Sequence, residues 1–184
     1  MRYLTMMFIL AASTGVAQTT KSLNKYELDI FDSSIDRAIE AAPNEVIDTT
    51  CTRVADGDTF VIVDGRKIRL LSVNTPETVK SGVAPQPYGL EASTFTKNSI
   101  QGKLIHMEVY RKDKYGRTLA HVWYGKGRKQ WLNADLVTNG YAVVEPATPA
   151  RYYHKLFDLQ IEAQRNKRGI WTLDSQPRAL MEVE

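Results

Sequence analysis

The chain has 184 residues, of which 43% are hydrophobic and 24% charged, with a formal net charge of +3 and a single cysteine, Cys51. That length suits one domain with a full core plus an added segment, and the composition is that of an ordinary soluble globular protein, which by itself assigns no function. The lone cysteine excludes an internal disulfide, so the fold must hold without a covalent staple.

The first stretch, MRYLTMMFILAASTGVAQ, places one charge, Arg2, before an apolar run from Leu4 to Ala12 and small residues at Gly15-Val16-Ala17. This is the pattern of a secretory signal peptide cleaved after Ala17, too short to span a bilayer comfortably; the alternatives are an uncleaved anchor and a buried N-terminal helix. It predicts a secreted or periplasmic protein with no stable membrane association after processing. Residues 18–45 form an acidic extension, in which Leu28, Ile30, Phe31, Ile35 and Ala38 recur at roughly helical spacing before Pro43. The extension reads either as a short amphipathic helix or as a mobile leader. Charge divides along the chain: residues 18–50 carry a net −4 and residues 51–184 a net +6. A basic body suits a polyanionic ligand.

The domain itself is expected over 46–172, followed by a tail, 173–184. CTRVADGD, TFVIV and RKIRLLSV read as three strands of a meander, the last two joined by Asp64-Gly65, whose tolerance of positive φ marks a tight hairpin. Residues 78–87, with Gly82, Pro85 and Pro87, read as a loop. Tyr88–Ile100 reads as a helix with Ala92, Phe95 and Ser99 on one side. KLIHMEVY and TLAHVWYG are two more strands around the turn RKDKYGR. Trp131–Asn139 is a short helix ended by Gly140, and Tyr152–Lys167 a longer one with Tyr152, Leu156, Leu159 and Ala163 as its apolar stripe. Five strands with helices after the third and after the fifth predict a mainly β, α+β domain: a five-stranded Greek-key barrel of the OB type decorated with about three helices.

Three stretches hold polar residues that a core does not need: DGDT at 56–59, RLLSVNTPE at 69–77 and DKYGR at 113–117. Arg69 is the least expected of these residues, because a guanidinium within a half-buried strand costs several kcal/mol unless its head meets a phosphate or a carboxylate such as Glu77. With YGLEASTFTKN at 88–98 and NKRGIW at 166–171, these motifs resemble, in order and spacing, the staphylococcal nuclease-like, or thermonuclease, family over residues 46–172.

That resemblance implies an endonuclease that uses Ca2+ to cleave the 5′ P–O bond of DNA and RNA, preferring single-stranded substrate and leaving 3′-phosphate ends. It implies Asp58, Asn74 and Thr75, the last through its backbone carbonyl, as metal-binding positions. It implies Arg69 and Arg117 as the arginines on the scissile phosphate, with Glu77 beside the attacking water as base or as orienting group. Lys114 and Tyr115 fall at substrate-binding positions, where the alternatives are a solvated lysine and an ordinary turn tyrosine. The residue types suit the chemistry: attack by water adds charge to the phosphoryl oxygens, which planar, permanently ionised guanidinium forks and a hard cation stabilise.

Asn74 departs from the family pattern, Val-Asp-Thr-Pro-Glu, in which an aspartate ligates calcium. An asparagine oxygen still coordinates but brings no charge. Weaker calcium affinity follows, and at the limit a binding module or interaction scaffold without turnover. The loop at 144–149, VEPATP, lacks the tyrosines the family carries there. His106, His121 and His154 have no metal-ligand spacing and read as structural, Asp56 as a turn residue, and Tyr152 and Tyr153 as parts of the last helix. No Walker loop, serine-triad order or zinc cysteine set is present. The protein is expected to be a monomer.

Overall fold

The computed structural model describes residues 41–78 and 86–173. The expected signal peptide, residues 18–40 of the acidic extension, the middle of the 78–87 loop and the tail from 174 lie outside the described residues.

The first strand, β1 (Glu45–Val54), starts six residues before the CTRVADGD stretch and stops before its aspartates. The reason is pairing at long range. Residues 45–50 of β1 run antiparallel to β5 (Leu104–Lys112), with Ile47 opposite Met107, and residues 51–54 run antiparallel to β2 (Thr59–Ile62), with Cys51 opposite Ile62. Asp56-Gly57-Asp58 is instead the turn between β1 and β2, closed where the amides of Ala55 and Asp56 donate to Thr59 O at 2.9 and 3.0 Å. Asp64-Gly65 makes the tight turn to β3 (Lys67–Leu70), with Gly65 at φ 87° and the Asp64 carboxylate accepting from the Arg66 amide at 2.9 Å. β6 (Thr118–Tyr124) pairs antiparallel with β5 and parallel with β3, Arg69 lying opposite Leu119. That parallel contact closes the five strands β1, β2, β3, β5 and β6 into a barrel.

Strict alternation fills the barrel. In β2 and β3, Phe60, Ile62, Ile68 and Leu70 are fully buried, while Thr59, Val61, Lys67 and Arg69 face away. Arg69 thus belongs to the outward phase of its strand, which explains how a guanidinium sits between an isoleucine and a leucine. Cys51 is buried in the core, and burial pushes its thiol up to about 11, so it is inert.

Three helices cover the barrel: α1 (Gly89–Ile100), α2 (Leu132–Thr138) and α3 (Tyr153–Arg165). The buried face of α1 is Ala92, Thr96, Ser99 and Ile100, with Phe95 packed at its edge. That of α3 is Tyr153, Leu156, Gln160 and Ala163: Leu156 and Ala163 are buried as expected, while Tyr153 and Gln160 take the places expected for Tyr152 and Leu159. Tyr152 precedes the helix and joins a cluster outside the barrel with Trp123, Trp131 and His121. The turn Gly169–Thr172 docks on the end of α2, where Ile170 donates to Gly140 O at 2.9 Å. Gly140 and Gly169 meet backbone to backbone, and a Cβ on either would overlap the other's chain. Three two-residue strands have no visible periodicity in the sequence: β4 (Val73–Asn74), its antiparallel partner β8 (Val143–Val144), and β7 (Gln130–Trp131) at the edge.

Candidate active site

Barrel closure brings the three polar stretches to one place. Arg69 lies opposite Thr59 on one side and Leu119 on the other, so the turn before β2, which carries Asp58, and the turn before β6, which carries Arg117, both meet β3 at the same end. The cleft there has a volume of about 1030 Å³ and is lined by Asp58, Arg69, Asn74, Thr75, Glu77, Lys114, Tyr115 and Arg117 among others. All eight site residues expected from the sequence share it.

Asp58 is the anchor. The residue is only 5% exposed, and its Oδ2 accepts from the Thr75 amide at 2.8 Å and the Thr75 hydroxyl at 3.0 Å, while Oδ1 accepts from Thr59 Oγ1 at 3.1 Å. Oδ2 also forms an ion pair with Arg69 Nη1. The other arm, Arg69 Nη2, donates to Asn74 Oδ1 at 2.7 Å. Arg69 is therefore matched by Asp58 and Asn74: a carboxylate does meet it, as expected, and the one in contact is Asp58, while Glu77 acts on it electrostatically. Gly57 makes the turn possible because a Cβ there would lie 2.7 Å from Thr75 Oγ1 and 2.9 Å from Ala92. Asp56 serves the turn as expected, accepting from the Gly57 amide at 2.8 Å and from Thr78 Oγ1 at 2.6 Å.

Arg117 is held differently. Asp113, four residues earlier in the same turn, accepts from Arg117 Nε at 2.6 Å and from its amide at 2.9 Å. The terminal nitrogens of Arg117 make no hydrogen bond to the described residues, which leaves the fork directed by Asp113 and open to an anion. Tyr115 is 64% exposed, with Lys114 Nζ 4.9 Å and the Arg117 guanidinium 5.3 Å from its ring centroid. Glu77 is exposed at the cleft, and its backbone is fixed by Gln86: the Glu77 amide donates to Gln86 Oε1 at 2.8 Å and Gln86 N to Glu77 O at 2.9 Å.

The charges interact. Burial first, and the like charge of Arg117 second, lower Arg69 to about 10, against the opposing influence of Glu77, Glu145 and Asp56. Arg69 remains a cation at neutral pH. The Asp113 carboxyl lies below the usual range: its bonds to Arg117 outweigh the burial that would raise it.

The oxygens of Asp58 and Asn74 both reach the same guanidinium, so they stand close together, with the Thr75 backbone adjoining Asp58. An all-oxygen set of this kind suits a hard divalent cation. Among the described residues no three His, Cys, Asp or Glu side chains cluster as a metal site. A cation here would depend on the Asn74 amide oxygen and the Thr75 carbonyl beside the single Asp58 carboxylate. Of the histidines, His106 pairs with Asp48 at 3.0 Å and His121 is buried among aromatics, outside the cleft.

Sequence reasoning missed Arg53, Arg111, Lys112, Glu145 and Thr148, which also line the cleft. Glu145 and Thr148 arrive through β8 and a clamp at Ser72, whose φ is 62°. Ser72 Oγ donates to Thr148 O at 2.6 Å, its amide donates to Thr148 Oγ1 at 3.1 Å, and its carbonyl accepts from Glu145 N at 3.0 Å. These contacts offset the cost of a left-handed serine, about 1 kcal/mol or more. Nothing local in LLSVN announces them. The pairing of Asp113 with Arg117, four apart in DKYGR, was likewise not singled out from the sequence.

A family profile described as "Staphylococcal nuclease homologue" matches residues 67–173. The chain is 40% identical over 126 residues to a thermonuclease of Staphylococcus hyicus, covering 65% of this chain and 73% of the relative. It is 43% identical over 125 residues to a thermonuclease of Staphylococcus intermedius, with the same coverage of 65% and 73%. Against the endonuclease YncB of Bacillus subtilis (strain 168) it is 31% identical over 167 residues, covering 87% of this chain and 78% of the relative. The profile match reaches from β3 to the last turn and includes Arg69, Glu77 and Arg117, and with these identities it shows that the chain belongs to the staphylococcal nuclease family.

Proposed function

We propose that the chain is a calcium-dependent endonuclease that hydrolyses DNA and RNA phosphodiesters, with single strands preferred. One observation carries the reading: two guanidinium groups from separate elements, Arg69 and Arg117, line one cleft with Glu77 and with the oxygen donors of Asp58 and Asn74. Calcium, held by Asp58, Asn74 and the Thr75 carbonyl, would supply Lewis-acid polarisation of a phosphoryl oxygen and orientation of water. The chain's own residues supply the rest. Arg117, pre-aimed by Asp113, offers its terminal nitrogens to two phosphoryl oxygens. Arg69 turns from Asp58 and Asn74 towards the phosphate, where negative charge develops. Glu77 accepts or orients the proton of the attacking water. Water adds to phosphorus and gives up a proton, the bond to the 5′ oxygen breaks, that oxygen takes up a proton from solvent, and the other product carries a 3′-phosphate.

The test is denatured DNA with calcium, with chelator, and with Glu77→Gln. Calcium-dependent shortening lost in the variant supports catalysis. Retention on a gel without shortening supports the second reading, a binding module weakened at Asn74, and equal cleavage in all three arms rejects the assignment of Glu77.

Asn74→Asp adds one negative charge to the donor set. Calcium affinity, read by calorimetry on the free protein, is expected to rise roughly tenfold, since ligand charge count tunes such sites over decades. Unchanged affinity would remove Asn74 from the metal set.

Export with cleavage after Ala17 is proposed from the leader sequence alone. Amino-terminal sequencing of the exported protein tests it, with Gln18 the expected first residue.

A further inference from the structure

The aromatic cluster outside the barrel carries cations. The Arg151 guanidinium lies 5.7 Å from the Tyr152 ring centroid, and Lys155 Nζ lies 5.6 Å from that of Trp131. The two rings stand 5.1 Å apart between centroids. Both cations are exposed, whereas Trp131 is only 9% exposed and Tyr152 is half-buried, so the rings act as seats that leave the charges at the surface. A seat fixes where the charge of a long side chain stands and lowers the entropy lost when an anion binds. The row has two ends. At one, Arg151 comes three residues after Thr148, which lines the cleft and is held by Ser72. At the other, Lys129 stands two positions before Trp131, after the exposed turn Lys126–Arg128. Arg128 pairs with Asp48, whereas Lys126, Lys129, Arg151 and Lys155 make no ion pair with the described residues. Glu108, the carboxylate that touches the cluster, is occupied by the hydroxyls of Tyr110 at 3.1 Å and Tyr152 at 3.2 Å.

Strand β6 spans the distance between the two ends: Arg117 of the cleft precedes it and the Lys126–Arg128 turn follows it. Its 7 residues cover about 23 Å, the length of about seven nucleotides at duplex spacing. We infer that Arg151, Lys155 and Lys129 form a second nucleic-acid contact, outside the cleft, along which the backbone of a strand leaving the cleft runs towards the Lys126–Arg128 turn. Trp131 is too covered to offer a face to a base, so the contact is made to phosphates and reads no sequence. The inference rests on the nuclease reading only for the choice of polyanion.

The test is binding of a single-stranded oligonucleotide of about 20 nucleotides, read by fluorescence anisotropy in chelator so that no cleavage intervenes. Each phosphate contact on a single strand contributes about 0.7 to the slope of log affinity against log salt. The triple variant Lys129→Gln, Arg151→Gln, Lys155→Gln is expected to lower the slope by about 2.1, so that a rise from about 50 to 200 mM salt costs the wild type roughly eighteenfold more affinity than the variant. A control triple, Lys67→Gln, Lys97→Gln, Arg165→Gln, removes the same charge at exposed positions outside the row and should keep the wild-type slope. Unchanged thermal melting of both shows that the fold is intact. With calcium, kcat/KM on the long strand should fall in the first triple variant while that on a tetranucleotide, which the cleft alone can hold, stays at the wild-type value. Equal slopes for wild type and first variant, an equal fall in the control, or an equal fall on long and short substrates would overturn the second contact. A wild type that cleaves nothing would reject the nuclease reading, and the slopes in chelator would still decide the contact.

Discussion

Arg69→Met is expected to lower kcat/KM on single-stranded DNA by about 10²–10³-fold, the scale for removing one donor aimed at developing transition-state charge. Stability should fall with it. Asp58 is nearly buried and its Oδ2 faces Arg69 Nη1, so deleting the guanidinium leaves a buried carboxylate with only the Thr75 and Thr59 bonds. Breaking a buried pair from one side costs about 3 kcal/mol. Arg69→Lys separates the two effects. An ammonium restores a positive charge beside Asp58, so much of the stability should return. It cannot bond Asp58 and Asn74 through two coplanar nitrogens, nor present a fork to phosphate, so activity should remain low. Denaturant unfolding and steady-state kinetics on the three proteins check this. Wild-type kcat/KM in Arg69→Lys would mean that Arg69 has only a structural part.

The second large effect concerns pH and lies away from the cleft. His121 is fully buried, neither ring nitrogen has a hydrogen-bond partner among the described residues, and aromatic rings enclose it: Tyr110 at 5.7 Å, Trp131 at 5.5 Å and Tyr152 at 5.0 Å between centroids. Burial lowers its pKa from 6.5 to about 3. The unfolded chain therefore takes up a proton near pH 6.5 that the folded chain refuses until about pH 3. The stability due to a neutral His121 is fully present above pH 6.5 and is lost as pH falls towards 3. Each pH unit across that window is worth about 1.4 kcal/mol, so by pH 5 the loss from this residue is about 2 kcal/mol. His121→Phe has no proton to take up and fits among the same rings. Its unfolding free energy should decline less steeply than that of the wild type, keeping only the carboxylate contribution, with the two curves diverging below about pH 6.5. Parallel curves would show that His121 does not control the acid limb.

Some of the architecture was legible and some was not. Asp64-Gly65, flanked by β-branched runs, announces its hairpin because positive φ at a tight turn restricts the residue types. The helix from Gly89 and the one to Arg165 announce themselves by apolar spacing, although the face of the latter begins at Tyr153 and not Tyr152. The start of β1 was not legible, because the partner of residues 45–50 is a strand more than 50 positions away. At the site, the residue types were readable and most of the pairings were not. That a carboxylate meets Arg69 was readable, whereas the identity of the contacting one, Asp58, followed only from barrel closure. Glu145 and Thr148 enter the cleft only because Ser72 holds their loop.

The sequence by itself determined the strands' inward and outward phases, the turns, and a set of guanidinium, carboxylate and amide groups that a core does not need. Those features depend on neighbours a few residues apart, and alternation and turn chemistry act at that range. Only the tertiary structure decided that β3 and β6 close the barrel in parallel, that Asp58 and Asn74 share Arg69, and that Ser72 holds the loop carrying Glu145 and Thr148. Such contacts join positions as far apart as the 17 between Asp58 and Thr75 and the 76 between Ser72 and Thr148. A local pattern encodes which face a side chain takes, and partners across such distances are chosen by the way whole strands pack.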